Sequence, residues 1–240
     1  MHLLPKDKLI SFSLYGNQKI YNYGALENAK LVSKLYPGWE CVIYFRSDCD
    51  TKVIKKLSKI NHVKLINMDQ STITPRMWRF IPAFEKDYIV IIRDTDSRLN
   101  IKEKVAVDEW LESDKDVHIM RDYETHVKKI QVGMFGCRNG ILNDYKELFY
   151  RMSNIENIKD PINDDENIMS NYFYPKILNN TFVHASYNKY EKWARDFPET
   201  DYKGFVGEII HNVEKPNLFQ RLRMLAYKNK IILKNKLSSF

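Results

Sequence analysis

The residues best suited to chemistry lie in Arg93-Asp94-Thr95-Asp96-Ser97-Arg98, directly after the most apolar segment of the chain, Tyr88-Ile89-Val90-Ile91-Ile92. A continuous β-branched run of this kind fits a strand buried on both faces of a parallel sheet. In an extended segment, alternation points Asp94 and Asp96 to one side. Loops at the carboxyl ends of parallel strands are where open α/β sheets bind ligands. Two carboxylates so placed suit a hard divalent cation, Mn2+ or Mg2+, which would in turn hold a diphosphate. Without that placement, an isolated Asp-x-Asp is no more than two solvated loop residues.

A rival use of Asp-x-Asp after a strand is the haloacid-dehalogenase type of phosphatase. There the first Asp is a nucleophile, the second an acid/base, and a Thr or Val follows two residues later. Arg98 stands at that position, and three strand units precede the motif rather than none. Asp164-Asp165 could supply such an enzyme's acidic metal pair, so the alternative of a metal-dependent phosphatase or phosphotransferase stays open.

The elements that must position the acidic pair alternate between strand and helix signals. Strands are expected over Leu9–Leu14, Cys41–Phe45, Val63–Ile66, Tyr88–Ile92, Val117–Met120, Gln131–Cys137 and Thr181–His184. Apolar residues at helical spacing predict helices over Gly24–Tyr36, around Val53–Leu57, and over Ile101–Leu111, Leu142–Met152 and Asp165–Phe173, with a turn or two over Met77–Phe84. Repeated β-α-β in the first hundred residues implies an α/β fold, a mostly parallel central sheet with helices on both faces.

Composition narrows the class. The 240 residues are 44% hydrophobic and 29% charged, which is globular and argues against wholesale disorder. The net charge of +7 suits polyanionic partners, with no motif for nucleic-acid recognition. Cys41, Cys49 and Cys137 form no CxxC pair and imply a reduced, cytoplasmic setting. The polar start is unlike a signal peptide, and no apolar run approaches the ~20 residues of a membrane span. From Asn217 the chain is basic and amphipathic, with Arg221, Arg223, Lys228, Lys230, Lys234 and Lys236 and no acidic side chain. The expected division is therefore a catalytic domain over 1–216 and a tail over 217–240, either a solvated helix or a contact with an anionic membrane surface.

Several pieces, taken in order, resemble a family of GT-A-type glycosyltransferases found in bacterial polysaccharide clusters and large DNA viruses. They are Ser13-Leu14-Tyr15-Gly16, Tyr23-Gly24-Ala25, Tyr36-Pro37-Gly38-Trp39, Trp78-Arg79-Phe80, Asp94-Thr95-Asp96-Ser97 and Met120-Arg121-Asp122. Gly133-Met134-Phe135-Gly136, Asp165-Glu166, Tyr174-Pro175 and Gly204-Phe205-Val206-Gly207-Glu208 complete the set, which spans residues 9–210.

The resemblance implies a GT-A-like nucleotide-binding fold and a sugar moved from a nucleotide-sugar donor, a UDP-sugar, to a glycan or lipid-linked acceptor in polysaccharide biosynthesis. A degenerate carbohydrate-binding protein that keeps the fold is the non-enzymatic alternative. Asp94 and Asp96 would hold the metal. Arg79 and Arg76 would contact phosphate or the aspartate loop. Ser13, Leu14 and Tyr15 would line the nucleotide, with Tyr15 stacking on its base. Asp48 or Asp50 would bind base or ribose, or else cap a helix. His184 is the implied late metal ligand, with His211 competing. Asp165 resembles an acceptor-side base, although Glu166 replaces the family's Gln. Asp122 and His126 match an Arg-Asp-x-x-x-His pattern beside the donor sugar, and the Gly133 turn would let backbone approach that sugar.

Overall fold

A computed structural model describes residues 7–85, 88–157, 164–211 and Leu222. The basic tail expected over 217–240 and the boundary at 216/217 lie outside the described residues, Leu222 apart.

Seven strands form one sheet: β1 (Lys8–Leu14), β2 (Glu40–Phe45), β3 (Val63–Asn67), β4 (Ile89–Arg93), β5 (Val117–Arg121), β6 (Met134–Cys137) and β7 (Thr181–Ala185). Their order is β3-β2-β1-β4-β6-β5-β7. β1 to β4 pair in parallel, β6 runs against both β4 and β5, and β7 is parallel to β5. Six strands thus share one direction. The sheet is the mostly parallel one that the β-α-β pattern implies, and it belongs to the α/β class expected.

Helices α1 (Lys19–Leu35), α2 (Thr51–Leu57) and α4 (Ile101–Glu112) cover one face. A 3-10 stretch over Pro75–Phe80, α3 (Ile81–Glu85) and α5 (Lys146–Ser153) cover the other, with the helical run that starts at α6 (Asp164–Ile168) and ends at α7 (Tyr174–Ile177). Alternation along β4 divides its side chains between two cores. Ile91 joins Ala25, Val32 and Trp110, whereas Val90 and Ile92 join Trp78, Phe84 and Phe149. All three are fully buried, as a two-faced strand requires. Each such side chain contributes roughly 1.5–3 kcal/mol by leaving water.

Among the element boundaries that differ from the sequence reading, three have a plain local reason. α1 starts at Lys19, so Gly24 lies inside the helix rather than at its start. A β-carbon there would collide with the Thr95 carbonyl, so the glycine serves close packing of helix against loop. β6 starts at Met134 because Gln131–Gly133 form a turn, closed by the Met134 N–H on the Gln131 carbonyl at 2.9 Å. The helix expected over Asp165–Phe173 is α6 followed by a π-helical turn over Met169–Phe173. No helix among the described residues is long and apolar enough to cross a membrane.

Candidate active site

The loop after β4 is held on every side. Buried Arg93 ends the strand; it pairs with Glu103 at 3.1 Å and donates to the Gly133 carbonyl at 2.5 Å and to Ser97 Oγ at 3.2 Å. Asn28 of α1 donates to the Ser97 carbonyl at 2.8 Å and accepts from the Leu99 N–H at 3.0 Å. From the far end of the sequence, the Ile210 N–H donates to the Asp96 carbonyl at 2.9 Å. A loop so tied offers its side chains with little entropy left to lose.

Arg79 organises the carboxylates around that loop. Its guanidinium donates through Nη1 to Asp94 Oδ1 and through Nη2 to Asp165 Oδ2, the second at 2.9 Å. Its backbone N–H donates to Ser13 Oγ at 3.0 Å, which ties the 3-10 stretch to β1. Asp165 Oδ1 accepts from the Glu166 N–H at 3.0 Å, so both its oxygens are engaged. Arg79 and Asp165 are buried, whereas Asp94 keeps part of its side chain exposed.

These residues wall a cavity of about 420 Å³, lined by Ser13, Tyr15, Arg76, Arg79, Asp94 and Asp96 together with Gln18, Tyr21, Asp165 and Glu166. Ser13 and Tyr15 reach it because alternate residues of an extended chain share a side. Tyr15 stands edge-on to Trp78 at 6.2 Å and hydrogen-bonds Arg76. A second cavity of about 230 Å³ adjoins the first and shares Asp94, Asp96 and Glu166 with it. Its other walls include Thr125, His126, Gln131, Gly133 and Phe205.

Charge is crowded here. Burial first, and then the neighbouring Asp94, push the Asp96 carboxyl up to about 6. Burial also raises Asp165 and Glu166 above the usual carboxylate range. No ion pair reaches Asp96 among the described residues. A carboxylate whose ionisation burial and a neighbouring carboxylate disfavour, as at Asp96, fits a divalent cation, whose charge would offset the repulsion. Among the described residues no three His, Cys, Asp or Glu converge on one point. Two carboxylate side chains alone would suit a hard cation that keeps waters and takes substrate phosphate oxygens.

Several expected site residues lie elsewhere. Leu14 points the opposite way from Ser13 and is buried in the core under α1, so its side chain lines neither cavity. Asp48 pairs with Arg46 and accepts from the Gly16 N–H at 2.8 Å, bracing the turn after β1 outside the cavities. Asp50 caps α2 through the N–H groups of Lys52 and Val53. Asp122 is fully buried, accepting from Lys102 Nζ at 2.5 Å, from the Val206 N–H at 2.9 Å and from Ser186 Oγ; it fastens the 204–208 segment and faces no ligand space. His184 is not brought to the acidic pair. Its ring sits on the α4 face with Nδ1 on His118 Nε2 at 2.9 Å and Nε2 on Glu109 Oε2 at 3.0 Å, which uses both ring nitrogens. His211 is exposed and lines neither cavity, although it follows Ile210 on the loop.

The structure does bring together Ser13, Tyr15, Arg79, Asp94, Asp96 and Asp165, with His126 and Gly133 on the second cavity. Sequence reasoning passed over Gln18, Tyr21, Thr125 and Gln131 as lining residues and Asn28 as a loop support. Their signal was only a polar residue at a helical or turn position. Glu166 was read as a replacement for another residue, not as the group at the junction.

No family model matches the chain, and no curated protein does. Two solved structures are similar in fold. S. aureus TarS, residues 1–349, matches at 16% identity and a TM-score of 0.47 over 74% of this chain and 57% of that one. A 4-diphosphocytidyl-2C-methyl-D-erythritol synthase from Anaerococcus prevotii matches at 16% identity and a TM-score of 0.37, over 68% of this chain and 84% of that one. The chain therefore spans little more than half the length of the first. At such scores the activity has to be argued from the chain's own residues.

Proposed function

We propose that the chain is a divalent-cation-dependent glycosyltransferase that moves a hexosyl unit from a nucleoside diphosphate, a UDP-sugar, to a hydroxyl of a glycan or lipid-linked acceptor in polysaccharide biosynthesis. The observation that carries the reading is the junction of two cavities at Asp94, Asp96 and Glu166 at the carboxyl rim of a mostly parallel sheet. A donor of two unlike halves needs such a paired space, with its scissile bond at the junction.

In this reading Asp94 and Asp96 hold Mn2+ or Mg2+, which supplies charge stabilisation to a leaving diphosphate. Arg76 and Arg79 face the same oxygens, and Arg79 keeps Asp94 in one orientation through its second bond to Asp165. Tyr15 and Tyr21 line the larger cavity and would flank the nucleotide end. Because Asp165 is spent on Arg79 and the Glu166 N–H, Glu166 takes the acceptor proton in an inverting transfer and Asp165 acts as the positioning residue. Asp165, the base implied by the resemblance, is thereby reassigned. The acceptor surface and any membrane contact of the tail remain part of the proposal. The phosphatase alternative gains nothing, since Asp94, its nucleophile, is bonded to Arg79.

The test is donor hydrolysis with a panel of nucleotide sugars and Mn2+. Slow release of nucleoside diphosphate that stops in Asp96→Ala and on chelation is the expected result. A wild-type protein that takes up no nucleotide in the presence of Mn2+ by calorimetry would falsify the reading.

A further inference from the structure

The two joined cavities differ in the sign of their walls. The larger one contains two guanidinium groups, Arg76 and Arg79. Among the described residues no lysine or arginine lines the smaller one, whose ionisable walls are Asp94, Asp96 and Glu166 plus Tyr123 and His126. His126 adds no positive charge. Its Nδ1 accepts from the N–H groups of Asp122 and Tyr123 at 3.1 Å each, so the ring's hydrogen sits on Nε2. Burial holds the ring neutral well below its ordinary range. Gln131, in the amide orientation that satisfies its neighbours, donates to Glu166 Oε1 at 3.1 Å and accepts from the Lys128 N–H at 3.2 Å. The Lys128 ammonium itself is on Asn167 at 2.9 Å.

The smaller space is therefore rich in partners for hydroxyls and poor in partners for anions. The Thr125 hydroxyl and the His126 Nε2–H can donate, and Glu166 can accept. A carboxylate entering there would lose its water and meet like charge. At about 230 Å³ the space is also below the roughly 300–1,000 Å³ of drug-sized pockets, which suits one sugar ring rather than a chain.

We infer that the glycosyl unit this site accepts is a non-acidic hexose, with the cavity of His126, Gln131 and Glu166 rejecting sugars that carry a carboxylate. The inference rests on the glycosyltransferase reading above and names the substrate class of that site. A cation on Asp94 and Asp96 would offset those two charges, leaving Glu166, held by Gln131, as the carboxylate that faces the sugar.

The test is calorimetry in Mn2+. UDP and GDP are titrated first, and the one that binds selects a donor pair differing only at the sixth carbon: UDP-glucose against UDP-glucuronic acid, or GDP-mannose against GDP-mannuronic acid. The neutral donor is expected to bind at least tenfold more tightly, and Glu166→Gln is expected to shrink that ratio severalfold. A wild-type ratio below tenfold, or one that Glu166→Gln leaves unchanged, overturns the inference while nucleotide uptake still supports the enzyme. Failure of both UDP and GDP to bind overturns the glycosyltransferase reading, and the inference falls with it.

Discussion

The carboxylate of Asp94 occupies the space that a β-carbon on Gly133 would fill. The two residues come from the loop after β4 and the turn before β6, and Arg93 clasps the Gly133 carbonyl from beneath at 2.5 Å. The acidic pair and the wall of the smaller cavity are thus one packed unit.

Gly133→Ala should therefore weaken ligand binding as well as the local packing. The added methyl forces Asp94 aside, at a cost of about 1–3 kcal/mol for overpacking. Mn2+-dependent nucleotide affinity should fall at least about tenfold, on the scale where 1.4 kcal/mol is one decade. Calorimetry alongside circular dichroism checks this; a variant that binds like the wild type removes the role given to this contact.

Asp96 should titrate visibly. With the Asp96 carboxyl at about 6, a proton competes with the cation for the same oxygens. Mn2+ affinity should rise with pH between about 5 and 7 and level off above, a slope that Asp96→Asn abolishes. The sign for stability is opposite. The raised pKa means that ionising Asp96 costs the folded chain more than the unfolded one, so this contribution is present below about 4 and lost as pH rises through about 6. Without metal, Asp96→Asn should melt higher than the wild type at pH 7 and close to it at pH 4, measured by thermal scans.

Asp122 should behave as a structural residue. Asp122→Ala leaves the Lys102 ammonium and the Val206 N–H without their buried acceptor, a loss of about 3–5 kcal/mol. On a chain of this size that lowers the melting temperature by on the order of 10 °C. Below its own transition the variant should keep Mn2+ affinity within a few-fold of the wild type. Complete loss of metal uptake with an unchanged melting curve would instead put Asp122 at the ligand.

The strands and the position of the acidic pair were legible because period-2 and unbroken β-branched patterns depend on burial alone, as Ile89–Ile92 illustrates. Side-chain direction was not always read. Leu14 was grouped with Ser13 and Tyr15 although alternation alone turns it the other way. Asp122 and His184 look like ligands in a linear string. Only the fold reveals that Val206 and Lys102 consume the first and that His118 and Glu109 consume the second. Gly24 reads as a helix start, and the Thr95 carbonyl it accommodates lies seventy-one positions away (95 − 24 = 71). Patterns within one element are written locally; contacts between distant elements are not.

The bond from Ile210 to the Asp96 carbonyl, with the Ser97–Ile209 bridge beside it, joins positions more than a hundred residues apart. Loop closure over such a span is entropically costly and slow, so it forms late. During synthesis the ribosome must deliver everything up to Ile210 before the acidic loop is pinned. A nascent chain halted before Val206 would already hold all seven strands and still leave its acidic loop unpinned.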